Sequence, residues 1–432
     1  MLPCEQGPDP MPHPIVVTVI CDGNRPDFVS DAATPTMAAL RRAGTWFADH
    51  RGIFPSATRA SSASIATGSH PISHGLRGNS VGLPIAGGHE FHDVGLPEFY
   101  ETYKTHYGRL LMRPALAERV AMVGGAVLAS NVSPGAAYFH DAGGHGHLFH
   151  RELCYGPGRV PTGEVVPASK DAAGDVVMTT RFIRALDEMR PAAATLWLCE
   201  PDTSMHAAPL GSARHFAALR HADEQVARVA EAVERLRDAG HDVLFLVGSD
   251  HGHESVTEVI PVERRLFEAG FKRELDGPEI IVAPQGSAAF IHFGGAALDR
   301  IDEAAAWLAE QSWVGAVFRG PDLPALGQIP GDDVIAIDLT KTEGSNINGV
   351  PGLTAMAVRF SETEDDVRRD CGMHGGRGER ESNPTLIAVG SRFEAGRTIS
   401  DRSSITDITP TALVHLGLDW AGLDGHPLQA SV

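Results

Sequence analysis

Short apolar runs alternate with longer stretches of helical periodicity along most of the chain. The first run, at 15–20, is β-branched at every position and predicts a strand buried on both faces. The same patterns predict further strands at 196–199, 243–247 and 385–389, and helices at 35–44, 175–189, 213–239 and 408–416. This alternation is typical of an α/β fold, a three-layer sandwich with a mostly parallel central sheet and helices on its faces.

An acidic residue follows each of three predicted strands. Asp22 follows the run at 15–20, Asp202 follows the run at 196–199, and Asp250 follows the run at 243–247. Ligands of open α/β sheets bind at the carboxyl ends of the strands, so these three side chains are expected to lie close together.

Imidazoles accompany these carboxylates. His206 lies four residues after Asp202, His251 directly follows Asp250, and His374 lies in a separate Met-His-Gly-Gly segment. Zinc takes imidazole nitrogens and carboxylate oxygens in roughly tetrahedral sets, and the six side chains are enough for two such sets. The sequence therefore predicts two divalent metal ions, zinc first, although manganese, iron or cobalt suits the same donors.

The pattern of predicted helices and strands changes between His251 and His374. This stretch carries its own helix at 301–311, short strands at 279–283 and 288–293, and a run rich in Pro and Gly at 320–331. We predict an inserted α+β cap lobe at 255–370. The metal-binding core would then consist of 14–254 and 371–432, preceded by a flexible tail at 1–13.

Composition narrows the class of protein and of substrate. A chain of 432 residues exceeds the ~250–300 residues of one hydrophobic core, which agrees with two lobes. The formal net charge of −19 argues against a nucleic acid polymer as partner. It allows a small phosphorylated substrate, because bound metal ions can invert the local field.

The sequence also bears on the compartment. No apolar run approaches the ~18 residues of a membrane span, and residues 1–13 lack the pattern of a signal peptide. The five scattered cysteines are typical of reduced thiols, so we expect a cytoplasmic protein without a membrane partner. The oligomeric state stays open, with a homodimer as one option.

A stretch rich in hydroxyl groups, at 54–62, offers candidate nucleophiles. The residues themselves leave Ser56, Thr58, Ser61 and Ser62 as competitors. Residues 60–67 suit a helix that begins just after Thr58. The N–H groups and the dipole at the start of such a helix would favour an alkoxide and a phosphoryl oxygen.

The motifs together resemble the alkaline phosphatase superfamily. Within it, the chain is most similar to the branch of type I phosphodiesterases, nucleotide pyrophosphatases and phosphonoacetate hydrolase. The resemblance covers nearly the whole chain in the family's order, and it rests on these segments: Asp22-Gly23, 54–58, 64–68, 71–75, Glu200-Pro201-Asp202 with His206, 249–252, His374-Gly375, 407–411 and Asp424-Gly425. It implies an alkaline phosphatase-like fold and a metal-dependent phosphoric ester hydrolase.

The resemblance also implies how the ligands divide. One metal would be held by Asp202, His206 and His374. The other would be held by Asp22, Asp250 and His251 together with the Thr58 oxygen. Thr58 would be the nucleophile that forms a phosphothreonine intermediate, and two successive displacements would give net retention at phosphorus.

Three residues are candidate substrate contacts. Ser61 lies three residues after Thr58, where the resemblance implies an Asn that contacts a phosphoryl oxygen, and a serine hydroxyl reaches less far. Arg59 could supply a fork-shaped phosphate donor. Asn79 either faces the pocket or is a turn residue.

Several alternatives remain beside phosphodiester or nucleotide pyrophosphate hydrolysis. Hydrolysis of a C–P bond, as in phosphonoacetate hydrolase, would need cations for a substrate carboxylate, with Lys104, Arg109 and Arg113 as candidates. A phosphomonoesterase and a metal-dependent phosphomutase are further options, while a sulfatase is disfavoured because its C/S-x-P-x-R motif is absent. A second cluster, of His140, Asp141, His145, His147 and His150, could form a third metal site, a loop of the substrate pocket or a surface loop.

Overall fold

The computed structural model describes residues 12–360 and 369–431. Most of the predicted tail at 1–13 lies outside the described residues, as does part of the predicted cap lobe. None of the helices among the described residues is both long enough and apolar enough to cross a membrane.

Most strands are short, and the described ones range from two to eight residues. In chain order the strands are β1 (Ile15–Cys21), β2 (Thr45–Phe47), β3 (His50–Arg51), β4 (Ser80–Ile85), β5 (Gly88–Asp93), β6 (Ala126–Ser130), β7 (His147–Phe149), β8 (Tyr155–Gly156), β9 (Val160–Pro161), β10 (Ala193–Leu198), β11 (Val243–Gly248), β12 (Glu254–Pro261), β13 (Ile280–Pro284), β14 (Ala288–Phe293), β15 (Val314–Phe318), β16 (Val334–Leu339), β17 (Lys341–Ser345), β18 (Pro351–Val358), β19 (Gly372–Met373), β20 (Leu386–Val389), β21 (Arg397–Ile399) and β22 (Ser403–Ser404).

The predicted helices are present, with ends that differ by a few residues, and further helices occur between them. In chain order the helices are α1 (Pro35–Ala43), α2 (Thr58–Thr67), α3 (Pro71–His74), α4 (Phe99–Tyr107), α5 (Leu116–Val120), α6 (Pro134–His140), α7 (Ala172–Met189), α8 (Asp202–Met205), α9 (Ala213–Asp238), α10 (Val262–Glu268), α11 (Ile301–Ala309), α12 (Asp322–Ala325) and α13 (Ile408–His415). The predicted ones are α1, α2, α7, α9, α11 and α13.

A ten-stranded sheet forms the centre of the molecule, in the order β21-β2-β20-β11-β1-β10-β6-β7-β8-β9. β1 is flanked in parallel by β10 and β11, whereas β20 is antiparallel to β11. Cys21 pairs with Leu198, and Ile20 pairs with Gly248. The three strands therefore end side by side, and the acidic residues that follow them share one edge.

Apolar cores cover both faces of this sheet. Ile15, Val17 and Val19 pack on one face with residues of α7 and α9 such as Phe182 and Val229. On the other face, residues of β1 such as Val16 pack with residues of α2 and α13. This arrangement explains why the run at 15–20 is apolar without alternation. The predicted three-layer α/β sandwich is confirmed.

The segment predicted as a cap lobe forms smaller sheets. Their orders are β17-β18-β12-β19 and β13-β14-β16-β15, and none of the strands described within 255–370 joins the ten-stranded sheet. A separate apolar core includes Ile260, Phe293, Leu308 and Ile337. The boundaries of the lobe remain a prediction.

Acid should destabilise the fold through buried histidines such as His50. His50 is fully buried in β3, with Nδ1 2.9 Å from Ser403 Oγ, and burial lowers its pKa to about 3. Unfolded histidine takes up a proton near pH 6.5, so stability is lost as pH falls below that value. Each such histidine should cost about 1 kcal/mol between pH 7 and pH 5.5.

Urea denaturation at pH 7 and pH 5.5 measures this effect in the metal-saturated protein. His50→Gln should lose about 1 kcal/mol less than the wild type on acidification. His106→Gln is the matched control, because His106 is exposed on α4. Equal pH sensitivity of the wild type and His50→Gln would contradict the assignment.

Candidate active site

The predicted metal ligands meet at the carboxyl edge of the central sheet. Asp22 follows β1 directly, Asp202 begins α8 just after β10, and Asp250 lies two residues after β11. His206 closes α8, and His374 follows β19. All six predicted side chains are brought together from segments that are remote in sequence.

The imidazoles of this site share one orientation. In each of four rings, Nδ1 lies within hydrogen-bond distance of a backbone carbonyl: His206 with Gly372 (2.8 Å), His251 with Gly252 (3.1 Å), His253 with Gly23 (3.2 Å) and His374 with Ser56 (2.7 Å). A carbonyl oxygen only accepts, so each Nδ1 carries a proton, and Nε2 of the neutral form of each ring presents a lone pair. Histidine ligands of metals are usually fixed in this way.

Three of these lone pairs face one carboxylate oxygen. Asp202 Oδ1 lies 3.0 Å from Nε2 of His253, 3.1 Å from Nε2 of His206 and 3.7 Å from Nε2 of His374. This buried oxygen accepts no hydrogen bond. Lone pairs at such distances repel unless a cation lies between them. The ligand atoms of the four residues lie within 4.8 Å of one another, which fits a divalent metal ion.

A second group of donors surrounds the fourth lone pair. His251 Nε2 lies 3.1 Å from Thr58 Oγ1, 3.2 Å from Asp22 Oδ1 and 3.2 Å from Asp250 Oδ2. The two carboxylate oxygens are buried and accept no hydrogen bond. The other oxygen of each is occupied, since Trp197 Nε1 donates to Asp22 and the Gly23 N–H donates to Asp250. These atoms fit a second cation.

Asp202 connects the two groups. It belongs to the cluster with the three imidazoles, and also to a cluster with Asp22 and His251. The rings of His251 and His374, one from each group, stack with centroids 3.5 Å apart. The two donor clusters are therefore adjacent, and Asp202 belongs to both.

The electrostatics also favour bound cations. Burial and the neighbouring carboxylates Asp250 and Asp202 raise the pKa of Asp22 well above its usual value. Burial and the charge of Asp202 raise the pKa of Asp250 to about 7. Burial lowers the pKa of His251 and His253 to about 4, which keeps both rings neutral. Divalent cations would compensate the clustered carboxylates and use the neutral imidazoles as ligands.

Thr58 places its hydroxyl group beside these donors. It is the first residue of α2, which begins one or two residues earlier than predicted, and it is 8% exposed. Thr58 also lines a cavity of about 470 Å³ together with Asp22, Asp202, His206 and His374. The N-terminus of α2 therefore opens onto the metal donors.

The competing serine hydroxyls donate hydrogen bonds to backbone carbonyls or lie outside the cavity. Ser56 Oγ donates to the Gly376 carbonyl (2.9 Å), and Ser62 Oγ donates to the Ala136 carbonyl (2.7 Å). Ser61 is fully buried and does not line the cavity, because its side chain is enclosed in the interior. The predicted substrate contact by Ser61 therefore has no support in the geometry.

Asn79 lines the cavity beside Thr58. The Arg59 N–H donates to Asn79 Oδ1 (2.9 Å), and the Asn79 N–H donates to Gln285 Oε1 (2.6 Å). Because Oδ1 is the acceptor, Nδ2 is left as the donor of the side chain. Asn79 is thus a fixed amide at the cavity and more than a turn residue.

Three cations line the same cavity, and two of them are already compensated. Arg59 donates to Ser133 Oγ (3.1 Å) and lies 3.9 Å from Asp93. Arg359 pairs with Glu263 at 2.7 Å. Lys170, in the loop before α7, is exposed there. By contrast, the candidates Lys104, Arg109 and Arg113 line a separate cleft, away from the metal donors.

The histidine-rich loop after α6 does not form a third metal site among the described residues. Asp141 accepts the N–H groups of His145 and Gly146, and His150 Nε2 contacts the Val132 carbonyl. The ring of His140 packs against Trp197. These residues hold the loop together, and none of them lines the cavity.

Sequence reasoning left three residues of this site without a role: His253, Gln285 and Lys170. The only signal for His253 was its position two residues after His251. Gln285 and Lys170 carry no motif, and they reach the cavity only through the fold.

Two adjoining clusters of possible metal donors thus line one site, with the Thr58 hydroxyl beside His251 of the second cluster. The model of the type I phosphodiesterase / nucleotide pyrophosphatase family matches residues 16–312, and the chain belongs to this family. The resemblance predicted from the motifs is thereby confirmed. Membership indicates a hydrolase of phosphodiester or pyrophosphate bonds.

Solved structures show the same fold at low sequence identity. Murine ectonucleotide pyrophosphatase / phosphodiesterase 5 is 16% identical, with a TM-score of 0.69 over 95% of this chain and 97% of that chain. An inactive variant of the murine protein in complex with AMP is also 16% identical, with a TM-score of 0.70 over 97% of this chain and 100% of that chain. The human protein is 16% identical, with a TM-score of 0.68 over 96% of this chain and 99% of that chain. No curated protein matches the chain significantly in a sequence search.

Proposed function

We propose that the chain is a two-metal hydrolase that cleaves phosphodiester or nucleotide pyrophosphate bonds through a phosphothreonine at Thr58. The observation that carries this proposal is the position of Thr58 Oγ1, 3.1 Å from His251 Nε2 at the start of α2 and open to the cavity. A related murine protein, inactive as a threonine-to-alanine variant, has AMP bound. That complex supports a nucleotide-sized substrate for this chain.

The reaction follows from the donors around Thr58. Bound cations would lower the pKa of the Thr58 hydroxyl and compensate charge on the phosphoryl oxygens. Thr58 Oγ forms a bond to phosphorus while the bond from phosphorus to the leaving oxygen breaks. Water then attacks the phosphothreonine, restores the Thr58 hydroxyl and releases the phosphate monoester. Two displacements give retention at phosphorus.

The residues beside Thr58 position the phosphoryl group. The amide Nδ2 of Asn79 donates to a phosphoryl oxygen, and the N-terminus of α2 favours the negative charge. Arg59 lies at the same wall, oriented by Ser133. The cavity of about 470 Å³ is in the ordinary range for small-molecule sites, which supports a small phosphorylated substrate.

Zinc is the proposed metal at both positions, because the donors are imidazoles and carboxylates in compact sets. Manganese and iron suit the same donors. The cytoplasmic location, the absence of a nucleic acid partner and a homodimer stay predictions.

Phosphonoacetate-type C–P hydrolysis is the second candidate, and Lys170 is the observation that favours it. This reaction needs a cation for the substrate carboxylate, and Lys170 lines the cavity while Arg59 and Arg359 lie near carboxylates. An ammonium group on a flexible side chain can reach such a substrate.

A substrate panel on the zinc-reconstituted protein tests the proposal. The panel consists of bis-p-nitrophenyl phosphate, p-nitrophenyl phosphate, the p-nitrophenyl ester of a nucleoside 5′-phosphate, and phosphonoacetate. We expect the highest kcat/KM for the nucleotide ester and a clear preference for diesters over the monoester. A preference for phosphonoacetate that Lys170→Ala removes and Lys104→Ala retains would select the second candidate. A preference for the monoester would contradict both.

A further inference from the structure

We propose that the cation beside Asp202 has a fourth protein ligand, His253, in addition to Asp202, His206 and His374. The inference rests on the proposed two-metal function and goes beyond the three ligands that the family resemblance implies for this position. It assigns a role to a buried imidazole that the reaction does not otherwise use.

Two glycines leave the space that the ring of His253 occupies. The ring lies between Gly23 and Gly372, and it is fully buried. A Cβ atom on Gly23 would overlap Cε1 of the ring, and a Cβ atom on Gly372 would lie 2.7 Å from Cδ2. Gly23 has φ +74°, which also favours glycine. Both flanking positions are thus shaped for an imidazole held in one orientation.

The hydrogen bonds of the ring decide what Nε2 can do. Nδ1 lies 3.2 Å from the Gly23 carbonyl, which can only accept, so Nδ1 carries the proton of the neutral ring. An imidazole that merely supported Asp202 would have to donate from Nε2, and this tautomer would leave two acceptors facing each other at Gly23. The tautomer that the surroundings allow presents a lone pair at Nε2.

That lone pair is aimed at the metal donors. His253 Nε2 lies 3.0 Å from Asp202 Oδ1, which is closer than the corresponding atoms of His206 (3.1 Å) and His374 (3.7 Å). Neither Nε2 nor Asp202 Oδ1 takes part in a hydrogen bond. Four ligand atoms within 4.8 Å of one another form a complete set for a tetrahedral ion.

The fourth ligand approaches from the side away from substrate. Asp202, His206 and His374 line the cavity, whereas His253 does not. A cation bound by all four can still gain a fifth ligand from the cavity, as zinc does in some transition states. The two metal positions therefore differ in their donors: three imidazoles and one carboxylate surround the one beside Asp202, whereas His251 is the single imidazole among the described donors beside Thr58.

The experiment uses the holoenzyme with Co²⁺ in place of the native metal. Each histidine bound through Nε2 keeps an exchangeable Nδ1 proton, which a paramagnetic ion shifts far outside the normal proton NMR range. We expect four such signals, from His206, His251, His253 and His374. His253→Gln should remove one of them, and it should weaken the binding of one of the two metal ions by ~10–100-fold in chelator competition. His50→Gln, which alters a buried histidine elsewhere, should retain all four.

The outcomes separate this inference from the function on which it rests. Two bound metals with only three shifted exchangeable protons in the wild type would overturn the role of His253. The same holds if His253→Gln changes neither the spectrum nor the metal affinity. A wild-type protein that binds no metal would overturn the proposed function itself. The count in the wild type decides the question even where His253→Gln fails to fold.

Discussion

Thr58→Ala should lower phosphodiesterase turnover by at least ~10³-fold and leave the metal content unchanged. The hydroxyl group is the proposed nucleophile, and none of the competing serines Ser56, Ser61 and Ser62 is placed to replace it. The remaining donors, the two carboxylates Asp22 and Asp250 with His251, still surround the second metal position. Initial rates with bis-p-nitrophenyl phosphate and elemental analysis of the same sample measure both quantities.

Two controls sharpen this prediction. Ser61→Ala removes a hydroxyl one turn further along α2, away from the cavity, and should retain near wild-type activity. Acid quenching of the wild type with a diester labelled at phosphorus should trap a phosphothreonine that retains the second ester group, and Thr58→Ser should yield the corresponding ester of phosphoserine. If Thr58→Ala keeps its activity, the nucleophile is a serine or a water molecule.

The ligands at the strand ends were predictable from the sequence because neighbouring parallel strands have their carboxyl ends at the same edge of the sheet. β1 is β-branched at every position of 15–20 and buried along its whole length, and this pattern is typical of a strand at the centre of the sheet. Register then places Asp22, Asp202 and Asp250 at one edge. The imidazoles of His206 and His251 follow, since each is tied to a carboxylate by a short span of chain.

The substrate side of the site was less predictable, because it depends on contacts between remote segments. Ser61 lies about 4.5 Å along the axis of α2 from Thr58, which carries it from the cavity into the core. Asn79 is oriented by Gln285, 206 residues further along the chain. Lys170 reaches the cavity from a loop without a motif. No local pattern encodes such relationships.

The orientation of His253, within the metal site, was likewise not predictable from the sequence. Its position two residues after His251 says nothing about the direction of its ring. That direction is set by the pairing of β12 with β19 and by the glycines on either side. The spacing of motifs therefore identified which residues could bind metal but not how many would bind each ion.

Asp202→Asn should disturb both metal positions, whereas His206→Gln should disturb only one. Asp202 Oδ1 faces three imidazoles, and the residue also belongs to the cluster with Asp22 and His251. The amide replaces an anion at the centre of the site and removes charge that stabilises both cations. We expect the metal content to fall from two ions toward none, and activity to fall by at least ~10³-fold.

His206→Gln is the matched comparison, because His206 belongs to the cluster with Asp202, His253 and His374 and not to the cluster of Asp22, Asp202 and His251, and it lines the cavity. It should lose one ion and retain the other, with the fold intact by urea denaturation. If Asp202→Asn keeps one full equivalent of metal, the two positions are independent and Asp202 serves only one of them. If both variants lose both ions, the second position depends on the first. Loss of two ions in Asp202→Asn but of one in His206→Gln is the result expected for a carboxylate that belongs to both donor clusters.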